Sequence, residues 1–266
     1  MSDNIIAPEI QELLWERVKQ YNRSTFIDDD PISIPHRFLQ KKDIEISAFF
    51  AATLAWGQRK SIIQSCNKLM NIFDNSPYDF IANVTESELE SMPHFVHRTF
   101  NIEDLKFFIR FLKQHYAVHE SLETAFFPHE NKEIDAVRNG LIHFHNSFFE
   151  GHLVCRTKKH VSKPQKNSAC KRLNMFLRWM VRPNDGVDFG LWNHIDASQL
   201  MIPLDVHVQR VAINLGLIDS EKSNWATCEQ LTERLRLLHP SDPTIFDYAL
   251  FGFGVEERKI SKEIKP

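Results

Sequence analysis

Residues 44–55 form a segment that only one kind of environment can accommodate. Phe49, Phe50, Ala51, Ala52 and Leu54 leave it apolar nearly all round. A helix without a polar face has to be enclosed on every side, so this stretch predicts the centre of a helical core, with Asp43 as its N-cap. The neighbouring stretches repeat apolar residues at helical spacing. Ile6, Ile10, Leu13, Leu14 and Val18 mark a first helix over 5–21. Ile62, Ile63, Cys66, Leu69 and Met70 mark one over 61–73. Phe107, Phe108, Phe111 and Leu112 follow an Asn101 cap, and Leu173, Phe176, Leu177 and Met180 stripe residues 168–181. Period-2 alternation bounded by turns is nowhere sustained, so very little sheet is expected. The reading is an all-α protein of about a dozen helices.

The length of 266 residues suits one large domain or two modest lobes. No apolar run approaches the roughly 18 residues that a membrane span needs, and the Met1-Ser-Asp-Asn start does not resemble a signal peptide. A cytoplasmic protein without a membrane partner is expected. Cys66, Cys155, Cys170 and Cys228 are scattered, with no C-x-x-C pair, which predicts reduced thiols, mostly in the core.

The formal net charge is -3, yet the charge is unevenly placed. Residues 151–184 hold nine of the 32 Lys and Arg and none of the 35 Asp and Glu. The nine are Arg156, Lys158, Lys159, Lys163, Lys166, Lys171, Arg172, Arg178 and Arg182. A basic block on an otherwise acidic body is the footprint of polyanion binding. A solvated basic face is the plainer alternative.

Two residues stand out as candidates for chemistry. Asp205 occupies the N-cap of a helix whose stripe is Val208, Val211, Ala212 and Leu215, with Gly216 as its stop. Lys171 lies near the start of the 168–181 helix, where 171, 175, 178 and 182 share the face opposite the apolar stripe. Taken locally, Asp205 only caps its helix and Lys171 only touches phosphate.

The wording around both residues resembles the helix-hairpin-helix DNA glycosylases, the superfamily of endonuclease III and 8-oxoguanine DNA glycosylase. Pro203-Leu-Asp-Val-His-Val-Gln-Arg-Val-Ala212 is similar to the segment carrying their catalytic aspartate, and Lys171-Arg-Leu-Asn174 to the run carrying the lysine nucleophile of the bifunctional members. Gln58, in Leu54-Ala-Trp-Gly-Gln-Arg-Lys60, stands where those enzymes place a residue that fills the gap left by a flipped nucleotide. Its plainer reading is a solvated corner between helices, turned by Gly57.

That resemblance implies a two-lobed, glycosylase-like all-α fold, with a central lobe over 44–185 that includes the hairpin-like segment and a second lobe of 1–43 plus 186–266. It implies double-stranded DNA as partner and catalysis by Lys171 and Asp205. Nucleic-acid contacts would come from Gln58, Arg59, Lys60, Arg156, Lys158, Lys159, Lys163, Lys166, Arg172 and Arg178. No cofactor or metal is expected: no cysteine follows Cys228, which excludes a C-terminal iron–sulfur cluster, and His115 and His119 lack a carboxylate or cysteine to complete a site. A monomer is expected. The sequence departs from the pattern at the hairpin, where Ser162-Lys-Pro-Gln-Lys-Asn-Ser168 contains no glycine. Asn167 tolerates a left-handed conformation there, and Lys163 and Lys166 offer charge in place of backbone donors. Over nearly its whole length the chain also resembles a bacterial family known only as a domain of unknown function.

The function this resemblance implies is a base-excision-repair glycosylase, with AP lyase activity through a lysine Schiff base. The alternatives are a non-catalytic DNA- or RNA-binding protein on the same scaffold and a helical protein-interaction domain.

Overall fold

The computed structural model describes residues 6–152 and 155–254. Ile5, expected to open the first helix, and the charged tail from Glu256 lie outside the described residues.

The described chain is all-α. In order, the helices are α1 (Pro8–Tyr21), α2 (Lys41–Leu54), α3 (Arg59–Ile72), α4 (Pro77–Asn83), α5 (Glu86–Glu90), α6 (Ile102–Tyr116), α7 (Glu123–Phe126), α8 (Ala136–Phe148), α9 (Lys171–Val181), α10 (Val206–Asn214) and α11 (Trp225–Arg236). A last helix, α12, covers 247–254. The strand content among the described residues is one antiparallel pair, Val96–His97 with Phe100–Asn101. No described helix is long and apolar enough to cross a membrane.

The chain divides into two compact units. One comprises Ile27–Asn131 and Asn139–Ser162; the other comprises Met1–Phe26, Lys132–Arg138 and Lys163–Pro266. The division differs from 44–185 against 1–43 plus 186–266: the segment from Lys163 through α9 belongs with α10, α11 and α12.

In the unit of residues 27–131 and 139–162, every residue of α2 from Ile44 to Leu54 is buried. The ring of Phe49 packs on Phe108, Phe144 and Phe148, and Phe50 on Phe73 and Phe108. Glu45, inside this apolar helix, is fully buried. Its carboxylate accepts hydrogen bonds from the Tyr116 hydroxyl, the Ser121 hydroxyl and the Leu122 amide, so its burial is compensated. Asp43 does not cap α2. It lies in that helix's first turn, and its Oδ1 accepts from the amide of Tyr78, 2.8 Å away, at the start of α4. The expected cap therefore serves a different helix, satisfying one of its orphan donors.

In the other unit, Trp15 of α1 packs edge-on against Phe246, and α12 lies so close to α1 that a Cβ on Gly252 would meet the Tyr21 ring at 2.6 Å. Phe176, Leu177, Trp179 and Met180 of α9 are buried, and Phe176 meets Trp192 edge to face. The C-terminal carbonyls of α9, which have no partner within the helix, accept from the loop that follows: Phe189 N–H donates to Trp179, and Leu191 and Trp192 N–H donate to Met180.

Candidate active site

The site lies in the unit containing α9 and α10. The chain enters α9 through a short 3-10 turn, Pro164–Lys166, followed by two non-glycine residues in left-handed conformations, Asn167 (φ 56°) and Cys170 (φ 49°). Asn accepts this region more readily than other non-glycine residues, which is how this glycine-free segment turns into α9. Asn174, one turn into α9, is buried and donates from Nδ2 to the Ala169 carbonyl at 3.0 Å. The Lys171-Arg-Leu-Asn174 wording thus has a local cause: its Asn fastens the turn to the helix, and its Lys becomes the first helical residue.

Asp205 is held from the opposite side. Ile202 ahead of it is pinned by α11: its amide donates to the Thr232 hydroxyl at 3.1 Å, and its carbonyl accepts from the Cys228 thiol at 3.1 Å. Pro203 and buried Leu204 lead into the cap. Oδ1 of Asp205 then accepts from the amides of His207 (2.8 Å) and Val208 (2.9 Å), as the sequence anticipates.

Lys171 and Asp205 meet. The Lys171 Nζ is 3.9 Å from Oδ2, the oxygen of Asp205 nearest the amine, and the side chains are 29% and 18% exposed. The separation is longer than a hydrogen bond, and both groups are reachable from solvent. Val206, next to Asp205, is 66% exposed, an aliphatic residue open to solvent.

Behind the pair lies a buried ionic cluster. Arg178, two turns along α9 from Lys171, is fully buried. It donates to Asp247 Oδ2 at 2.6 Å and to Asp188 Oδ2 at 3.0 Å, and its guanidinium lies 4.1 Å from the centre of the Tyr248 ring. Arg182 is paired with Asp188, with Asp185 (3.1 Å) and with Asp242 (2.8 Å). Burial pushes the Asp247 carboxyl up to about 6, against the pull of Arg178 and Lys171, with the Asp205 carboxylate pushing the same way as burial. Burial also lowers the Arg172 guanidinium, to about 10.

The expected nucleic-acid residues are not equivalent. Arg178 is corrected outright: a guanidinium enclosed with two carboxylates does not face phosphate. Arg156 is exposed but paired with Asp104, and it also donates to Asn101 Oδ1 at 2.6 Å. Arg59 is half-buried, 3.4 Å from Asp30 Oδ2. Gln58 and Lys60 are exposed at the start of α3, Lys159 and Lys166 are exposed, and Lys163 and Arg172 are half-buried. Lys158 lies 5.7 Å from the centre of the Phe149 ring. The basic run does not lie in one unit: Arg156, Lys158 and Lys159 belong to one, and Lys163, Lys166, Lys171 and Arg172 to the other.

Two further features are not evident from sequence. His160 Nε2 lies 3.2 Å from Asp104 Oδ2, both groups being buried, and the side chain of Arg98, itself in a left-handed conformation, comes within 3.2 Å of where a Cβ on Gly57 would stand. His115 and His119 stack on each other, and no group of three or more metal-ligating side chains occurs among the described residues. None of the four cysteines is in a disulfide, and burial pushes the Cys66 thiol up to about 12.

The class of molecule is thus an all-helical protein that presents a paired amine and carboxylate within reach of solvent. The chain belongs to the family described as Protein of unknown function (DUF2400), whose model matches residues 30–256. No curated protein and no solved structure matches it.

Proposed function

We propose that the protein is a DNA N-glycosylase with AP lyase activity, built on a helix-hairpin-helix glycosylase-like scaffold. The observation that carries this reading is the 3.9 Å approach of Lys171 Nζ to Asp205 Oδ2 at a partly exposed rim. Breaking an N-glycosidic bond develops positive charge at the sugar C1′, which a carboxylate stabilises electrostatically. The neutral amine attacks C1′, forming a C–N bond as the bond to the base breaks and the base leaves with a proton. Ring opening gives an iminium ion; loss of a C2′ proton then expels the 3′ phosphate, and water releases the lysine. The left-handed turn before α9 and the exposed Lys166 beside it provide a place for the strand's phosphates.

The test is borohydride trapping on duplexes carrying an abasic site or oxidised, alkylated or deaminated bases. Wild type forms a covalent adduct, Lys171→Gln forms none, and Asp205→Asn loses on the order of 100-fold in base release. Variants that process these duplexes as well as wild type refute the reading. The absence of glycine from the hairpin favours a second reading, a DNA- or RNA-binding protein without catalysis. It predicts salt-sensitive binding and no adduct.

A further inference from the structure

Asp247 opens α12, and three contacts fix where its face points. Phe251, one turn on, meets the ring of His207 at 6.1 Å, and a Cβ on Gly254 would touch Val211 and His207 of α10 at 3.2 and 3.3 Å. The Arg210 guanidinium donates to the Gly254 carbonyl at 2.9 Å. Residues 247, 251 and 254 share one helix face, so the face carrying Asp247 is laid against the first turn of α10, the helix that Asp205 caps. From α9, Arg178 reaches the same carboxylate at 2.6 Å, and Lys171 lies seven residues earlier on that helix. Asp247 therefore lies among the elements that bring Lys171 and Asp205 together.

Its surroundings are unbalanced in charge. Asp185, Asp188, Asp242 and Asp247 surround two guanidinium groups, Arg178 and Arg182. Lys171 and Asp205 act on the same carboxylate in opposite directions, the amine lowering its pKa and the Asp205 carboxylate raising it. A buried cluster with more carboxylates than cations responds to any change in the charge of its neighbours.

We propose that Asp247 is a positioning residue of the Lys171–Asp205 pair, a buried carboxylate held by Arg178 that couples the charge state of the pair to the interior of the unit. The inference rests on reading that pair as a reactive site. Coupling between two sites is reciprocal, so it is measurable from either end.

The first measurement is the pH profile of borohydride trapping on an abasic duplex. Removing the negative charge with Asp247→Asn shifts the pH of half-maximal trapping downward by about half a unit or more. A folded variant whose profile overlies that of wild type overturns the proposal. The second measurement is the carboxyl-carbon NMR titration of Asp247 in wild type and in Lys171→Gln. The wild-type midpoint lies near the value of about 6 set by burial, and it rises when the Lys171 cation is removed; an unchanged midpoint overturns the proposal. This second arm decides the matter if Asp247→Asn fails to fold. It also separates the two readings: wild type without an adduct refutes the lyase function, while the titration still reports whether Asp247 is coupled.

Discussion

Asp205 holds its helix with one oxygen and faces Lys171 with the other. Oδ1 accepts from the His207 and Val208 amides, while Oδ2 stands 3.9 Å from Nζ. Capping and charge are thus separable at a single residue, and the local reading of Asp205 as a cap does not compete with a reactive one.

Substitution divides the two roles. Asp205→Asn keeps an oxygen for the cap and loses the charge, so thermal stability stays near wild type while base release falls. Asp205→Ala loses both and unfolds at lower denaturant, by about 1 kcal/mol. Chemical denaturation alongside the glycosylase assay checks both, and an Asn variant as unstable as the Ala variant refutes the division.

Arg178 and Lys166 come from the same basic run and lie in opposite environments, one enclosed and one exposed, so the proposed DNA binding treats them differently. Arg178→Met leaves Asp188 and Asp247 as buried charges lacking a main partner and costs about 3–5 kcal/mol. It leaves the salt dependence of DNA binding unchanged. Lys166→Gln, on an exposed side chain, leaves stability unchanged and lowers the slope of log K against log salt by about 0.9. Denaturation and binding titrations over a salt series read both effects.

The contrast marks the limit of what the sequence discloses. Apolar periodicity located α1, α2, α3, α6, α9 and α10, and cap chemistry located the helix starts at Asn101 and Asp205, because both signals reside within a few residues. The left-handed Asn167 was legible for the same reason. Arg178 was not: the wheel of α9 puts it opposite the apolar stripe, and its partners Asp188 and Asp247 lie 10 and 69 residues away in sequence. Asp43 failed in the same way, since its partner amide belongs to Tyr78. A helical wheel shows which residues share a face, but not whether a second charged layer covers that face. The approach of Lys171 to Asp205 was inferred from motif order rather than from spacing.

Gly140 reverses the usual helix-propensity rule. It lies inside α8, where replacing Gly by Ala ordinarily stabilises by about 1 kcal/mol. A Cβ at this position would stand 2.2 Å from Cε1 of buried Phe127. Gly140→Ala is therefore destabilising, by about 1–3 kcal/mol. Phe127→Leu opens space, so the double variant is more stable than the two single costs predict; a double-mutant cycle in urea measures this coupling.

Stability against pH distinguishes the two buried acids by sign. At Asp104, burial opposes the ionised form, yet the close approach of His160 and hydrogen bonds from the Asn101 amide and the Thr157 hydroxyl hold the carboxyl at about 2, below its ordinary 3.8. A depressed carboxyl stabilises the fold above its unfolded value, by about 2 kcal/mol. That contribution disappears as pH falls from about 4 through about 2. Asp247 is raised from 3.8 to about 6, so its contribution is complete below about 4 and is lost as pH rises through 6. Asp104→Asn is accordingly less stable than wild type at pH 7, and the gap closes toward pH 2. The difference between wild type and Asp247→Asn changes between pH 4 and 6 and is flat above 7. Denaturant midpoints measured from pH 2.5 to 8 give both curves, and a constant gap for Asp104→Asn across that range contradicts the assigned hydrogen bonding.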